Sequence, residues 1–116
     1  MWFPTKEKVA RELDRLLTRC EAIDQRIRVY EEQAKILGSI FGPAPEVTEW
    51  RVAQEEIYGN LMEASTGVRY GNVSYLEIAP SLKPVRKAID HFDKVLDLTD
   101  AASAAGKAAA QAHFGK

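Results

Sequence analysis

The side chains that could do metal chemistry are few in this sequence. His91 and His113 are the two histidines, and Cys20 is the single cysteine. A zinc site takes about four ligands at compatible spacing, and no such spacing occurs. Asp90 and Asp93 flank His91, but a group of this kind is more often a solvated helix face. The sequence therefore predicts no metal site and no cofactor.

Patterns typical of enzymes are equally sparse. The seven glycines do not group into a phosphate-binding loop, and the order of Ser, His and Asp residues selects no triad. Cys20 has no His or Lys at helical spacing to activate it, which is more typical of a buried core residue. The sequence therefore predicts no catalytic residues and a protein that is not an enzyme.

The strongest pattern lies near the N-terminus, where apolar or small residues recur in alternating steps of four and three. This period of 3.5 residues is typical of the seam of a coiled coil. It predicts a helix over about 5–38, roughly 50 Å long, that ends at Gly38 and the Gly and Pro residues after it. The seam consists of Val9, Leu13, Leu16, Cys20, Ile23, Ile27, Tyr30, Ala34 and Leu37.

Charged residues flank the seam in an order that suits two parallel copies. Across a parallel coiled coil, Arg19 would meet Asp24 and Arg26 would meet Glu31, and both pairs are of opposite sign. The pattern favours a parallel homo-oligomer. A solvated face with ordinary intrahelical partners is the alternative.

The two halves of this helix differ in their other apolar residues. Val29 and Ile36 lie off the seam in the second half, whereas the first half has little beyond the seam and Leu17. The pattern predicts that the second half packs into a helical body and that the first half is the freer end.

The rest of the chain predicts shorter elements. Apolar residues at helical spacing indicate a helix at about 46–64, and Ser81 would cap another at about 81–97. Between them, residues 65–80 favour either a short β-hairpin around 67–78 or a loop. Residues 98–116 are Ala-rich and predict a terminal helix or tail. The predicted fold class is mainly α, with a long coiled-coil-like helix and a small helical bundle forming a domain over 1–97.

Four aromatic residues are candidates for binding a partner. Trp2 and Phe3 would form an apolar patch if exposed, or would staple the start of the first helix if folded back. Tyr70 and Tyr75 lie in the 65–80 segment.

Composition narrows the classes of protein. The net charge of −1 does not favour a nucleic-acid binder, and no apolar run approaches the ~18 residues of a membrane span. The first residues lack the features of a secretory signal, and a single cysteine suits a reducing compartment. We therefore expect a cytoplasmic location, or one within a virion or intracellular assembly.

A long helix followed by two shorter ones resembles the all-α chorismate mutases. On that resemblance, Arg11 and Arg28 on the first helix and Arg51 on the second would bind substrate carboxylates in a cofactor-free dimeric enzyme. The sequence departs from the family in three ways. Ser39 stands near the family's lysine, Val52 replaces an acidic residue, and the predicted third helix contains no glutamine.

Three functions follow from these patterns. The first is a non-enzymatic structural protein that oligomerises through its long first helix and contacts another component, by analogy with phage or bacterial assemblies. The second is a small adaptor or inhibitor that binds a partner through residues 42–79, which carry six acidic and two basic groups. The remote third is the chorismate-mutase-like enzyme.

Overall fold

The computed structural model describes residues 3–41, 44–71 and 73–114. Within those ranges the chain forms three helices and no strand: α1 (Lys6–Phe41), α2 (Pro45–Arg69) and α3 (Tyr75–Phe114). The predicted mainly α fold, with a long first helix and a small bundle, is confirmed. None of the described helices has both the length and the apolar character that crossing a membrane requires.

The helices begin where local chemistry satisfies their first N–H groups. Thr5 Oγ1 accepts a hydrogen bond from the N–H of Lys8 at 3.2 Å, and Pro45 occupies the first turn of α2, where its missing N–H has no cost. Ser74 Oγ accepts the N–H of Leu76 at 3.2 Å. The prediction that Ser81 caps the third helix is therefore wrong, because Ser74 caps it about two turns earlier.

The expected hairpin or loop at 65–80 is replaced by a tight connection between helices. α2 continues to Arg69, and Gly71 then adopts a φ of +80°, the left-handed conformation with which glycine commonly ends a helix. The N–H of Val73 donates to the carbonyl of Gly67 at 3.0 Å. The backbone groups that a hairpin would pair across strands are used here to end one helix and begin the next.

α3 is one continuous helix of 40 residues that contains Pro80 and Pro84. Each proline removes one hydrogen bond to the carbonyl four residues earlier, so packing against α1 has to stabilise this part of the helix. The Ala-rich segment continues the same helix, and its residues 101–109 are all exposed.

α1 contacts both other helices, running antiparallel to α2 and parallel to α3. The chain extends 62 × 31 × 16 Å with a radius of gyration of 18.5 Å, whereas a compact domain of this length would have about 13 Å. The molecule is therefore an elongated, open bundle rather than a globule.

The expected difference between the two halves of α1 is reversed. Its first half is covered by α2 and α3, and Leu13, Leu16 and Ile23 are buried. In the second half, Val29 is 57% exposed and Ile36 is 68% exposed. The freer end of α1 is its C-terminal end, because α3 leaves that part of the helix uncovered.

Candidate association surfaces

The seam residues of α1 come together inside a single chain. The six from Val9 to Ile27 are buried, and they share one core with Leu61 and Val68 of α2 and with Ile89 of α3. Their side chains have no surface left for a second copy, so the interchain interpretation of this part of the seam is corrected. Tyr30 and Ala34 are half-buried, and Leu37 is exposed.

The arginines predicted to pair between chains bind carboxylates of α3 instead. Arg19 Nη2 lies 2.8 Å from Asp93 Oδ2, and Arg26 Nη2 lies 2.8 Å from Asp100 Oδ2. Arg19 and Arg26 are seven residues apart, and so are Asp93 and Asp100. The two helices therefore pack in a parallel, heptad-like register within one molecule.

The predicted acidic partners, Asp24 and Glu31, bind Arg51 of α2. Arg51 Nη1 donates to Asp24, and its Nη2 and Nε donate to the two oxygens of Glu31 at 2.7 and 3.0 Å. These hydrogen bonds lower the pKa of both carboxyls. Gln54, which is buried, accepts from Arg51 and donates to the backbone carbonyl of Cys20 at 3.2 Å. All four charges that were expected to join two chains therefore hold three helices together.

Tyr30 adds a contact to each of the other two helices, next to the ion pairs of Arg26 and Arg51. Its ring meets that of Trp50 edge to face, with centroids 5.4 Å apart, and its hydroxyl donates to Asp100. Burial, together with the Asp100 carboxylate, raises the pKa of Tyr30. Beyond Asp100 the helices leave an open cleft of about 630 Å³, whose walls include Val29 and Ala104.

The other residues singled out in the sequence lie apart from one another. Phe3 and Tyr70 are exposed, whereas Tyr75 packs against the core; Trp2 lies outside the described residues. Arg11 and Arg28 are separated by about 26 Å along α1, so they share no site within one chain. The guanidinium of Arg51 is occupied by carboxylates.

An apolar groove between α2 and α3 is a surface that the sequence patterns did not reveal. These two helices meet α1 more extensively than they meet each other, and the gap between them forms two adjoining hollows of about 330 and 370 Å³. Ile57 of α2 and Ala88 of α3 line both hollows. The walls are otherwise mostly apolar and include Trp50, Ala53, Leu61, Ala64, Ile78, Leu82, Val85, Phe92 and Val95.

The two edges of this groove carry opposite charge. Glu49 lines the groove on the α2 side and His91 lines it on the α3 side. Glu56 and Glu63 repeat the position of Glu49 at seven-residue intervals, and Lys87 and Lys94 lie four and three residues from His91. None of these glutamates or lysines forms an ion pair within the described ranges.

Side chains that could hold a metal ion do not gather in groups of three or more within residues 3–41, 44–71 and 73–114. Comparisons of the chain with protein-family models, with curated proteins and with solved structures gave no match.

Proposed function

We propose that this protein is a non-enzymatic assembly protein that associates with itself and contacts another component of a larger complex. The observation that supports this proposal is the surface left uncovered by the open bundle. The chain exposes 8239 Å², whereas a compact monomer of 13.0 kDa would expose about 6,300 Å². Large apolar side chains are among the exposed residues, including Val29, Ile36, Val52 and Leu98, and contiguous exposed apolar surface commonly marks association sites.

The second half of α1 and the Ala-rich end of α3 form the surface for the other component. Val29, Ile36 and Leu37 are large apolar side chains without cover, and the small residues of α3 allow another helix to approach closely. α3 has little of its own to bury after Asp100, so contact with a partner would stabilise its last turns. By analogy with structural components of phage or bacterial assemblies, such a role fits a cytoplasmic or intravirion location.

Native mass in solution tests the proposal. We expect light scattering after size exclusion to give a mass of two or more chains over a tenfold range of concentration. Ile36→Asp should leave that mass unchanged, because it alters only the surface reserved for the other component. A monomer at every concentration would contradict self-association.

The exposed acidic side chains of α2 favour a second function, that of an adaptor covering a basic site on another protein. Glu46, Glu49, Glu55 and Glu56 are exposed, and none of them is ion-paired in the described part of the chain. A persistent monomer whose binding to a basic partner protein is lost on reversing Glu46 and Glu55 to Lys would favour this function. Retained binding after reversal would argue against it.

A further inference from the structure

We infer that the groove between α2 and α3 is filled by the same groove of a second copy. In this dimer the two-fold axis runs parallel to the helices, so that α2 of each copy lies over α3 of the other. The inference rests on the proposed function, because it names the surface through which the protein associates with itself.

The apolar content of the groove suits a helical partner. Ile57, Val85 and Val95 are half-buried in the single chain, so each still has apolar area to remove from water. The chain exposes about 1,900 Å² more than a compact monomer of its mass would. A standard interface needs about 800 Å² from each partner, which is less than this excess over the whole chain.

The charges at the edges of the groove select the symmetry. A two-fold axis parallel to the helices places the glutamate edge of α2 over the lysine edge of α3 in the other copy. An axis in the interface but perpendicular to the helices would place α2 over α2, and Glu49, Glu56 and Glu63 would then face the same glutamates. Like charges in contact are unfavourable, so complementarity favours the parallel axis.

The positions of these charges along the bundle agree with that axis. Rotation about an axis parallel to the helices does not move a residue along the bundle, so residues that meet across the dimer must lie at the same height within one copy. Ile57 and Ala88 lie at one height, since both line the same two hollows. α2 and α3 run in opposite directions, so Glu56 is within two residues, about 3 Å, of the height of Lys87. Glu49 and Lys94 lie one heptad further along each helix and match in the same way. Two pairs at matching heights can therefore form at each edge of the dimer.

A charge exchange tests the pairing. Lys87→Glu should weaken the dimer about tenfold or more, because each of two attractive contacts becomes repulsive. The double variant Glu56→Lys with Lys87→Glu should restore it, since the exchanged charges still face each other. Lys35→Glu and Glu21→Lys, both on exposed parts of α1, make the same changes in net charge and should leave the dimer intact.

Cross-linking tests the geometry directly. A mixture of Glu56→Cys and Lys87→Cys chains should be joined by a short bismaleimide, whereas either variant alone should not be joined. The native Cys20 is buried and should not react. Cross-linking of Glu56→Cys chains alone would place α2 over α2 and overturn the proposed axis.

A charged side chain placed in the groove tests whether a second copy occupies it. Ala88 is an exposed helical alanine that lines both hollows, so Ala88→Glu should fold normally and give a monomer. Ala22→Glu, on an exposed part of α1, is the control. If Ala88→Glu and Lys87→Glu both remain fully dimeric, the groove is not the dimer interface, although the protein still associates with itself. If the unmodified protein is a monomer, self-association itself falls, and a helix of another protein is the remaining occupant.

Discussion

Gly67 of α2 lies directly against Val73 in the connection to α3. A Cβ added to Gly67 would stand 2.6 Å from Cγ2 of Val73 and 3.0 Å from its Cβ. The branched side chain of valine has few rotamers with which to move away. The absence of a side chain at Gly67 therefore lets the chain fold back over the last turns of α2 and sets where α3 begins.

Gly67→Ala should lower the free energy of unfolding. The overlap with Val73 is expected to cost about 1–3 kcal/mol, which exceeds the gain of up to about 1 kcal/mol from the helix propensity of alanine. Urea denaturation followed by circular dichroism measures the change as a lower midpoint.

Gly59→Ala is the matched control in the same helix. A Cβ at Gly59 would meet nothing within 4 Å, so alanine should raise stability by about 0.5–1 kcal/mol. If both variants shift the midpoint equally, the contact between Gly67 and Val73 does not restrict the connection.

The sequence predicts the helices better than their ends. The 3.5-residue period of α1 identifies its buried positions, because any helix covered along one stripe needs apolar residues there. The β-favouring residues at 68–75 mislead, since tertiary contacts outweigh their weak propensity. Val68 lies in the last turn of α2 and packs in the core. Ser74 caps α3, which therefore begins before the two prolines.

The candidate surface depends on how the helices are placed. A 3.5-residue period does not distinguish a partner chain from two helices of the same chain, so Arg19 and Asp24 suit either arrangement by sequence. The groove becomes evident only when α2 and α3 are both placed on α1. One signal was available beforehand, namely the seven-residue repeats of Glu49, Glu56 and Glu63 and of Lys87 and Lys94. These repeats mark helix faces that the intrachain core does not use.

Removal of Arg51 should destabilise the protein more than removal of a nearby exposed arginine. The side chain of Arg51 is 19% exposed and binds both Asp24 and Glu31. Arg51→Met would leave Glu31 and the side-chain oxygen of Gln54 without this donor and Asp24 with Arg28 alone, at a cost of about 1–3 kcal/mol. Arg28 is 64% exposed and, among the described residues, is ion-paired with Asp24 alone, so Arg28→Met should cost at most about 0.5 kcal/mol. Equal losses in urea denaturation would show that the Arg51 contacts add nothing to stability.

Low pH should remove the stabilisation that Arg51 provides by binding Asp24 and Glu31. Hydrogen bonds from Arg51 lower the folded-state pKa of Asp24 and Glu31, so near pH 4 the unfolded chain binds more protons than the folded chain. The stabilisation is present above the ordinary carboxyl pKa values and is lost as the pH falls through the lowered ones. Urea midpoints measured from about pH 6 to about pH 3 should therefore fall more steeply for the unmodified protein than for Arg51→Met. Parallel curves would contradict this origin of the acid sensitivity.

Cys20 should be protected from thiol reagents until the protein opens. It is 2% exposed, and burial raises the pKa of its thiol to about 11. Because the thiolate is the reactive form, alkylation by iodoacetamide near pH 8 should be at least a hundredfold slower, by order of magnitude, than in urea. If reaction requires global unfolding, Gly67→Ala should speed labelling in proportion to its loss of stability, and Gly59→Ala should slow it. Equal labelling rates in the folded protein and in urea would mean that α2 and α3 do not cover this part of α1.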